Sequence, residues 1–137
     1  MRAFPGFEGR LSSEALAALE RTGLLPSRTH ELVRNVMVSP QTGLAGGRAD
    51  LRAVARELDD RLCADPDLAA LSGRFLFVLD DGRGDLLARS CDLGLVALDS
   101  TWAQLRIGTG WGATVELAEA AGRIAELAHE FVVRRGR

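Results

Sequence analysis

The sequence of 137 residues has no lysine, only two cysteines and no apolar run of transmembrane length. Cys63 and Cys91 have no neighbouring Cys or His at metal-ligand spacing, so we expect two ordinary buried or half-buried thiols and no metal site. The first eight residues place a proline and an acid where a signal peptide has its apolar stretch. We therefore expect a cytoplasmic protein without a membrane partner.

Arginine alone carries the positive charge of this chain. The formal net charge is −2, whereas nucleic-acid binding requires a surplus of basic residues on one face, so no nucleic-acid partner is expected. An Arg-only composition rich in Ala and Gly is typical of a GC-rich bacterial genome, such as an actinobacterial one. The abundance of arginine is therefore uninformative, and only individual arginine positions indicate function.

Three stretches have the periodicity of helices. Residues 12–21 follow a possible N-cap at Ser12 and end before Gly23, which suits the C′ position. Residues 51–62 repeat apolar side chains at helical spacing. Residues 114–133 form the longest helix, and its predicted buried stripe consists of Val115, Ala118, Gly122, Ala125, Ala128 and Phe131.

Five stretches are predicted as strands. The near-continuous apolar run 32–38 is typical of a strand buried on both faces, although it contains Arg34. Four shorter strands follow at 74–79, 86–89, 93–98 and 103–107, and the Asp-Gly step within 80–84 indicates a hairpin between the first two. The order α-β-α-β-β-β-β-α predicts an α+β fold in which helices cover a mostly antiparallel sheet.

Four segments, taken in order, resemble the siroheme-binding halves of nitrite and sulfite reductases, and more closely the actinobacterial precorrin-3B synthases. They are the Arg-Asn-Val strand with its loop at 33–44, the strand at 71–77, the acidic turn with the following strand at 80–97, and the glycine-rich turn at 107–113. Arg74 falls on the first functional lysine of the reductases, but Leu76 replaces the second, which favours the synthase branch. The resemblance spans roughly residues 31 to 131.

This resemblance implies a divided chain. Residues 1–30 would be the last helix of a ferredoxin-like half-domain, and residues 31–137 a nitrite/sulfite reductase-like siroheme module. In the family, two such repeats surround siroheme and a 4Fe-4S cluster, and the second repeat supplies the cluster-ligating cysteines. With two cysteines that do not match that motif, this chain alone is expected to ligate neither cofactor.

Arg34 is the strongest candidate for a binding residue. A guanidinium in an apolar strand must meet a carboxylate or a bound anion, because an unpaired buried charge costs several kcal/mol. A structural ion pair with an aspartate is one interpretation, and the aspartates considered are Asp50, Asp85 and Asp92. The resemblance implies the other, in which Arg34, Asn35 and Arg74 bind a substrate anion or the carboxylates of a tetrapyrrole.

The glycine-rich turn, with Gly108, Gly110 and Gly112, is predicted to join a strand to the last helix. Its amides could cradle an anion at the helix N-terminus, or the turn could simply let Trp111 pack. A dinucleotide site is excluded, because no parallel strand with an acidic residue follows. His30 and His129 show no partner in the sequence, so neither nucleophilic nor metal chemistry is expected at them.

The expected function is that of an incomplete module of a siroheme and iron–sulfur oxidoreductase. An intact unit would resemble the enzyme that oxygenates precorrin-3A in cobalamin biosynthesis, or a nitrite or sulfite reductase. The alternative is a non-catalytic protein of the same fold that binds a tetrapyrrole or another anion, or that acts in assembly. A lone repeat should leave apolar surface uncovered, so a homodimer or a complex with the missing repeat is expected.

Overall fold

The computed structural model describes residues 12–23, 27 and 29–136, which form three α-helices, one 3-10 helix and five strands. In chain order these are α1 (Ser13–Arg21), β1 (Val36–Val38), α2 (Arg52–Ala64), the 3-10 helix (Pro66–Ala70), β2 (Phe77–Asp80), β3 (Leu93–Ala97), β4 (Trp102–Ile107), β5 (Gly110–Glu116) and α3 (Leu117–Arg135). Helix α1 begins as predicted, with Ser12 Oγ accepting a hydrogen bond from the Ala15 amide and Gly23 at φ 73° after its end.

All five strands belong to one sheet, in the order β1-β2-β3-β4-β5. The β1–β2 and β2–β3 pairings are parallel, and the longer β3–β4 and β4–β5 ladders are antiparallel. The α+β class is therefore confirmed. The predicted meander is correct only for β3, β4 and β5, because β2 and β3 run in the same direction and no hairpin joins them.

Helices α2 and α3 cover one face of the sheet and form the main core with it. Leu58 and Leu62 of α2 and Ile124 of α3 are fully buried there against Phe77 and Leu95 of the sheet. The predicted buried stripe of α3 is only partly correct. Ala128 is buried and Gly122 and Ala125 are half-buried, but Ala118 and Phe131 are exposed and Val115 belongs to β5. The buried residues of this helix are Ala120, Ala121, Ile124 and Ala128.

Strand β1 is shorter and less buried than the sequence predicts. Only residues 36–38 are extended, they are half-buried, and they lie at the edge of the sheet. Arg34 therefore precedes the strand instead of lying within it. A physical cause is visible at Asn35, whose side-chain amide donates to the carbonyl oxygens of Gly73 and Phe75 at 2.9 and 3.3 Å. In a longer parallel ladder these two carbonyls would accept backbone amides of the segment before β1, so the Asn35 side chain takes the place of those hydrogen bonds.

The connection from β2 to β3 crosses the second face of the sheet. Leu86 and Cys91 pack there against Val78, so residues 81–92 act as the crossover that two parallel strands require. The predicted strand at 86–89 is wrong, because these residues form turns. The Asp-Gly step does make a turn, with Gly82 at φ 90°, but that turn starts a crossover and not a hairpin.

A buried ion pair closes the carboxyl end of the parallel strands. Asp81 is fully buried, and its carboxylate accepts hydrogen bonds from Arg83 Nε and Nη2 at 2.9 and 2.7 Å. Arg83 Nη2 also donates to the Ala45 carbonyl at 2.6 Å, and the Arg48 amide donates to the Asp81 carbonyl at 2.6 Å. The hydrogen bonds from Arg83 hold the pKa of the Asp81 carboxyl below its usual range.

Gly94 on β3 should tolerate no side chain. A Cβ at this position would lie 2.1 Å from the Val78 carbonyl oxygen, so Gly94→Ala must push two parallel strands apart. We expect a loss of about 1–3 kcal/mol or more in the free energy of unfolding, measured by urea denaturation. Gly110→Ala is the matched control, because its nearest atom lies at 3.5 Å. Equal unfolding midpoints for the two variants would contradict the close contact.

The pair between Asp81 and Arg83 should make stability depend on pH. The folded-state pKa of Asp81 is lowered, so its contribution is complete above the unfolded pKa of about 3.9 and disappears as the pH falls through the lower folded value. Arg83→Gln should therefore cost about 2 kcal/mol at pH 6, and the difference from the wild type should shrink below about pH 4. Urea unfolding at pH 3 to 7 measures this, with the exposed Arg56→Gln as control. A constant difference across that range would count against the pair.

Candidate functional site

The residues predicted to bind a ligand meet at one end of the sheet. Val36, Phe77, Leu93, Ile107 and Gly110 lie in register across the five strands. This row marks where the parallel strands begin and where β4 turns into β5. We call this region, formed by residues 34–35, 72–76, 92 and 108–110, the arginine end of the sheet. It contains every predicted site residue except Gly112, which lies farther along β5.

Asn35 joins the two segments that carry the arginines. Its side-chain nitrogen donates to the carbonyls of Gly73 and Phe75, on either side of Arg74, and also to that of Leu32 at 3.1 Å. The Asn35 carbonyl in turn accepts the Phe77 amide at 2.9 Å. The segments around Arg34 and Arg74 are therefore held side by side. Asn35 itself has a structural role, because its side-chain amide is committed to backbone carbonyls.

The guanidinium of Arg34 is already paired within the protein. Its Nε and Nη2 donate to the two carboxylate oxygens of Asp59 at 2.6 and 2.7 Å, and Nη1 donates to Glu31 Oε1 at 3.0 Å. These contacts, led by the hydrogen bonds to Asp59, raise the pKa of Arg34 above its usual value. The Arg34 side chain is 18% exposed and that of Asp59 31%. This arrangement is the ion pair that the structural interpretation expected.

The partner of Arg34 differs from the three aspartates that the sequence suggested. Asp50 pairs with Arg52, Asp85 accepts a hydrogen bond from Ser39, and Asp92 accepts the Leu76 amide at 2.8 Å. Asp59 lies on α2, and the helical pattern alone did not show that it faces the segment before β1. The sequence feature that could have indicated this contact is the position of Asp59 one residue after the buried Leu58, at the margin of the helix face that packs on the sheet.

Arg74 differs from Arg34 because its side chain is exposed. Only its backbone amide is engaged, by Ser72 Oγ at 3.2 Å, and among the described residues its guanidinium has no hydrogen bond or ion pair. A free guanidinium can grip a carboxylate through two parallel hydrogen bonds. Arg74 is therefore the cation at the arginine end that is available to an anion.

An open cavity of about 420 Å³ adjoins the arginine end, between the sheet and the last turns of α3. The rings of Phe75 and Phe131, with centroids 5.2 Å apart, form one wall. Polar groups on its rim come from Asp92, Glu130 and Arg134. The lining includes neither Arg34 nor Arg74, so the expectation that both arginines point into one concave surface is not met by this cavity. Two of these three polar groups are acidic, and Arg134 pairs with Glu130 at 3.4 Å, so among the described residues the lining offers an aromatic wall without a free cation of its own.

The glycine-rich turn does not precede a helix. Gly108 and Thr109 form a two-residue hairpin loop between β4 and β5, with Gly108 at φ 58°. Helix α3 starts only at Leu117, so the predicted anion cradle at a helix N-terminus is wrong. Gly112 lies in β5, where a Cβ would press on Leu105 and Ile107 at 3.2 Å. The Gly108 amide donates to the Asp92 carbonyl at 2.9 Å, which fixes the loop at the arginine end.

Trp111 and Arg106 form a contact that the sequence analysis missed. Trp111 is 60% exposed and lies over the Arg106 guanidinium at 5.8 Å, a cation–π distance. Arg106 is buried, and it donates to the carbonyls of Leu86 and Arg89 on the crossover segment. Arg106 is therefore a structural residue that attaches this segment to the sheet. Trp111 stays free on its outer side and does not pack into the core.

The cysteines and histidines are placed as follows. Cys63 is half-buried on α2 and Cys91 is buried on the opposite face of the sheet, so the expected burial of both thiols is confirmed. Desolvation by burial raises the pKa of both thiols. The sequence showed no partner for either histidine, and the structure supplies one for each. His30 Nε2 lies 2.9 Å from the Asp65 carbonyl, and His129 Nδ1 lies 2.8 Å from Asp65 Oδ2.

Comparison with known proteins adds no assignment. No family model, no curated protein and no solved structure matches this chain. Within the described residues, no helix is both long and apolar enough to cross a bilayer. The function is therefore inferred from the geometry of the arginine end together with the sequence motifs that meet there.

The pair between Arg34 and Asp59 should be energetically coupled. Because it is bidentate and partly buried, Arg34→Gln and Asp59→Asn should each lower the free energy of unfolding by about 1–2 kcal/mol, and the double variant by clearly less than their sum. Urea denaturation of the four proteins measures this. The exposed pair of Arg123 and Glu126 is the matched control and should show almost no coupling. Additive losses at Arg34 and Asp59 would show that the pair does not stabilise the fold.

Proposed function

We propose that this chain is one repeat of a cytoplasmic siroheme and iron–sulfur oxidoreductase, similar to precorrin-3B synthase or to nitrite and sulfite reductases. In this proposal the arginine end binds carboxylate groups of a tetrapyrrole, and catalysis requires a second repeat. The observation that carries the proposal is the Asn35 side chain, which bonds the carbonyls on both sides of Arg74 and so holds the two arginine segments together.

Carboxylate binding would use the two arginines in different ways. Arg74 is exposed and can receive a ligand carboxylate directly. Arg34 can do so only if the ligand replaces Asp59, which exchanges one carboxylate for another and leaves the guanidinium paired. The first contact should therefore be made by Arg74. Arg34 would bind a ligand more weakly than its burial suggests, because Asp59 competes for the same donors.

The residues present fit a tetrapyrrole better than they fit an iron–sulfur cluster. The aromatic wall of Phe75 and Phe131 suits a flat macrocycle, whose acidic substituents would reach Arg74 outside the cavity lining, next to Phe75 in the chain. A bound siroheme would supply the redox chemistry of the intact unit, and this chain would hold and orient it. A 4Fe-4S cluster requires four thiolates, whereas this chain has two cysteines, and they lie on opposite faces of the sheet. Any cluster must be ligated by the second repeat.

A partner would also cover exposed apolar side chains. Ile107 and Trp111 flank the β4–β5 hairpin and are 47% and 60% exposed, but the register places their side chains on opposite faces of the sheet. Single exposed apolar residues are ordinary, so the feature that favours an interface is the outer edge of β5 beside them, which pairs with no other described strand. A homodimer or a complex with the missing repeat would cover them. A second repeat encoded beside this chain, with its four cysteines, would favour the complex.

The alternative function is a non-catalytic protein of the same fold that binds a tetrapyrrole or another anion, or that acts in assembly. Its support is the pairing of Arg34 with both Asp59 and Glu31, because a fully paired guanidinium needs no ligand to be stable. Under this alternative Arg74 alone would bind the anion. The two functions are distinguished by the effect of Arg34 on ligand affinity.

Arg74→Ala should weaken siroheme binding to the purified chain by about 1.5–3 kcal/mol for each charged hydrogen bond lost. Arg34→Ala should weaken it by a smaller but measurable amount, because Asp59 competes for the same donors. Siroheme absorbance and quenching of the fluorescence of Trp102 and Trp111 follow the titration. The exposed Arg56→Ala is the control for loss of a charge elsewhere. Arg34→Ala will also lower stability, so its affinity is measured well below its unfolding temperature. Binding that is unchanged in both variants would contradict the proposal, and an effect at Arg74 alone would favour the non-catalytic alternative.

A further inference from the structure

A second group of polar side chains lies away from the arginine end, where α2, the 3-10 helix and α3 meet. His129 of α3 approaches Asp65, with Nδ1 2.8 Å from Oδ2. Asp67 lies beside them in the first turn of the 3-10 helix. One donor atom from each of the three side chains lies within 4.8 Å of the other two. One imidazole nitrogen from α3 and two carboxylate oxygens from the junction of α2 and the 3-10 helix therefore lie close together.

Asp65 is held in place by contacts that leave its carboxylate directed at His129. It ends α2 and caps the 3-10 helix, with Oδ1 accepting the Asp67 amide at 2.9 Å. Its carbonyl oxygen lies 2.9 Å from Nε2 of the buried His30. Pro66, between the two aspartates, fixes the backbone φ. The two aspartates are thus fixed on a stiff turn, and Asp67 remains exposed and able to rotate.

An open groove of about 640 Å³ runs beside these side chains, between α2 and α3. Asp65 and His129 both line it, together with the apolar side chains of Leu68 and Ala125. Glu126, three residues before His129, also lines the groove, but its carboxylate pairs with Arg123. The negative charge beside His129 comes instead from Asp65 and Asp67. Arg61 is the basic side chain that lines the groove next to Gly122, about 10 Å along α3 from His129. Its guanidinium pairs with Glu57. The charge around His129 therefore favours a cation.

We propose that Asp65, Asp67 and His129 bind a divalent transition cation of the zinc type, with its fourth position open to the groove. Imidazole nitrogen with carboxylate oxygen is a donor set that Zn²⁺ accepts, at distances of about 2.0–2.2 Å. Ligand atoms of such a tetrahedron lie about 3.4 Å apart. Binding a cation therefore requires the 2.8 Å pair of Asp65 and His129 to open slightly and the exposed Asp67 side chain to rotate toward it. The hydrogen bond between Asp65 and His129 explains why these two side chains lie together, but not why the carboxylate of Asp67 lies beside them.

This site was not predicted from the sequence, because its ligands come from positions 65, 67 and 129, which have none of the short spacings of known zinc motifs. Three protein ligands with one open position are the arrangement of zinc sites that activate water or bind an external ligand. The groove has the volume to admit such a ligand next to the cation. The inference is independent of the proposed tetrapyrrole site.

The test is Zn²⁺ titration of the tag-free full chain after treatment with a chelator, in competition with a chromophoric zinc indicator. We expect one Zn²⁺ per chain. Asp67→Asn and His129→Ala should each weaken binding by at least about tenfold, since even the loss of an outer-shell partner costs about 10–100-fold. Both side chains are partly or fully exposed, so the variants should fold normally, which circular dichroism verifies. Asp60→Asn removes an exposed carboxylate on α2 outside the cluster and is the matched control.

Co²⁺ bound in place of Zn²⁺ reports the ligands directly. The visible spectrum of the wild-type complex should be that of a tetrahedral nitrogen and oxygen site, without a thiolate charge-transfer band. Wild-type affinity in both variants would overturn the proposal. So would a thiolate band that disappears in Cys63→Ser, or the absence of stoichiometric Zn²⁺ binding at micromolar concentration.

Discussion

The fold depends on the way Asp80 ends β2. Its buried carboxylate accepts the amides of Gly82 and Gly84 through Oδ1 and that of Leu86 through Oδ2, so that one side chain satisfies three donors of a turning chain. Unpaired amides would be costly in this buried position. With them satisfied, the chain leaves the sheet, crosses its second face and returns as β3 parallel to β2. The parallel half of the sheet, and with it the arginine end, exists because this crossover is possible.

The two ends of the parallel strands consequently differ in what they offer a ligand. At the carboxyl end, Arg83 fills the space above the strands and neutralises Asp81, so this end is closed by the protein's own charges. At the opposite end, Asn35 ties the strand beginnings together without neutralising Arg74, and a cavity lies beside them. A charge left exposed on a rigid support is the usual basis of anion binding.

The helices and the class of the fold could be predicted from the sequence, because Ser12, the 51–62 repeat and the long final stripe are local signals. The strand pairing could not be predicted, because the turn from Asp80 to Gly84 is the same in both cases: the next strand can return as an antiparallel hairpin partner, or the chain can cross the sheet and return parallel to β2. The arginines and Asn35 were identified by their motif and do meet at one end. The choice of Asp59 as partner, and the cluster of His129 with Asp65, arise from packing of α2 and α3, which no local pattern records.

The antiparallel part of the sheet has short connections and the parallel part has long ones, and this difference affects the order in which the two parts fold. Strands β3, β4 and β5 and helix α3 follow one another along the chain, and the β4–β5 loop has two residues. Strand β1 meets β2 only after the chain has passed through α2 and the 3-10 helix. Loop-closure entropy favours the contacts nearest in sequence, so the antiparallel strands and α3 should assemble first and β1 should dock last. The arginine end, which needs both parts, would form only in the final step of folding.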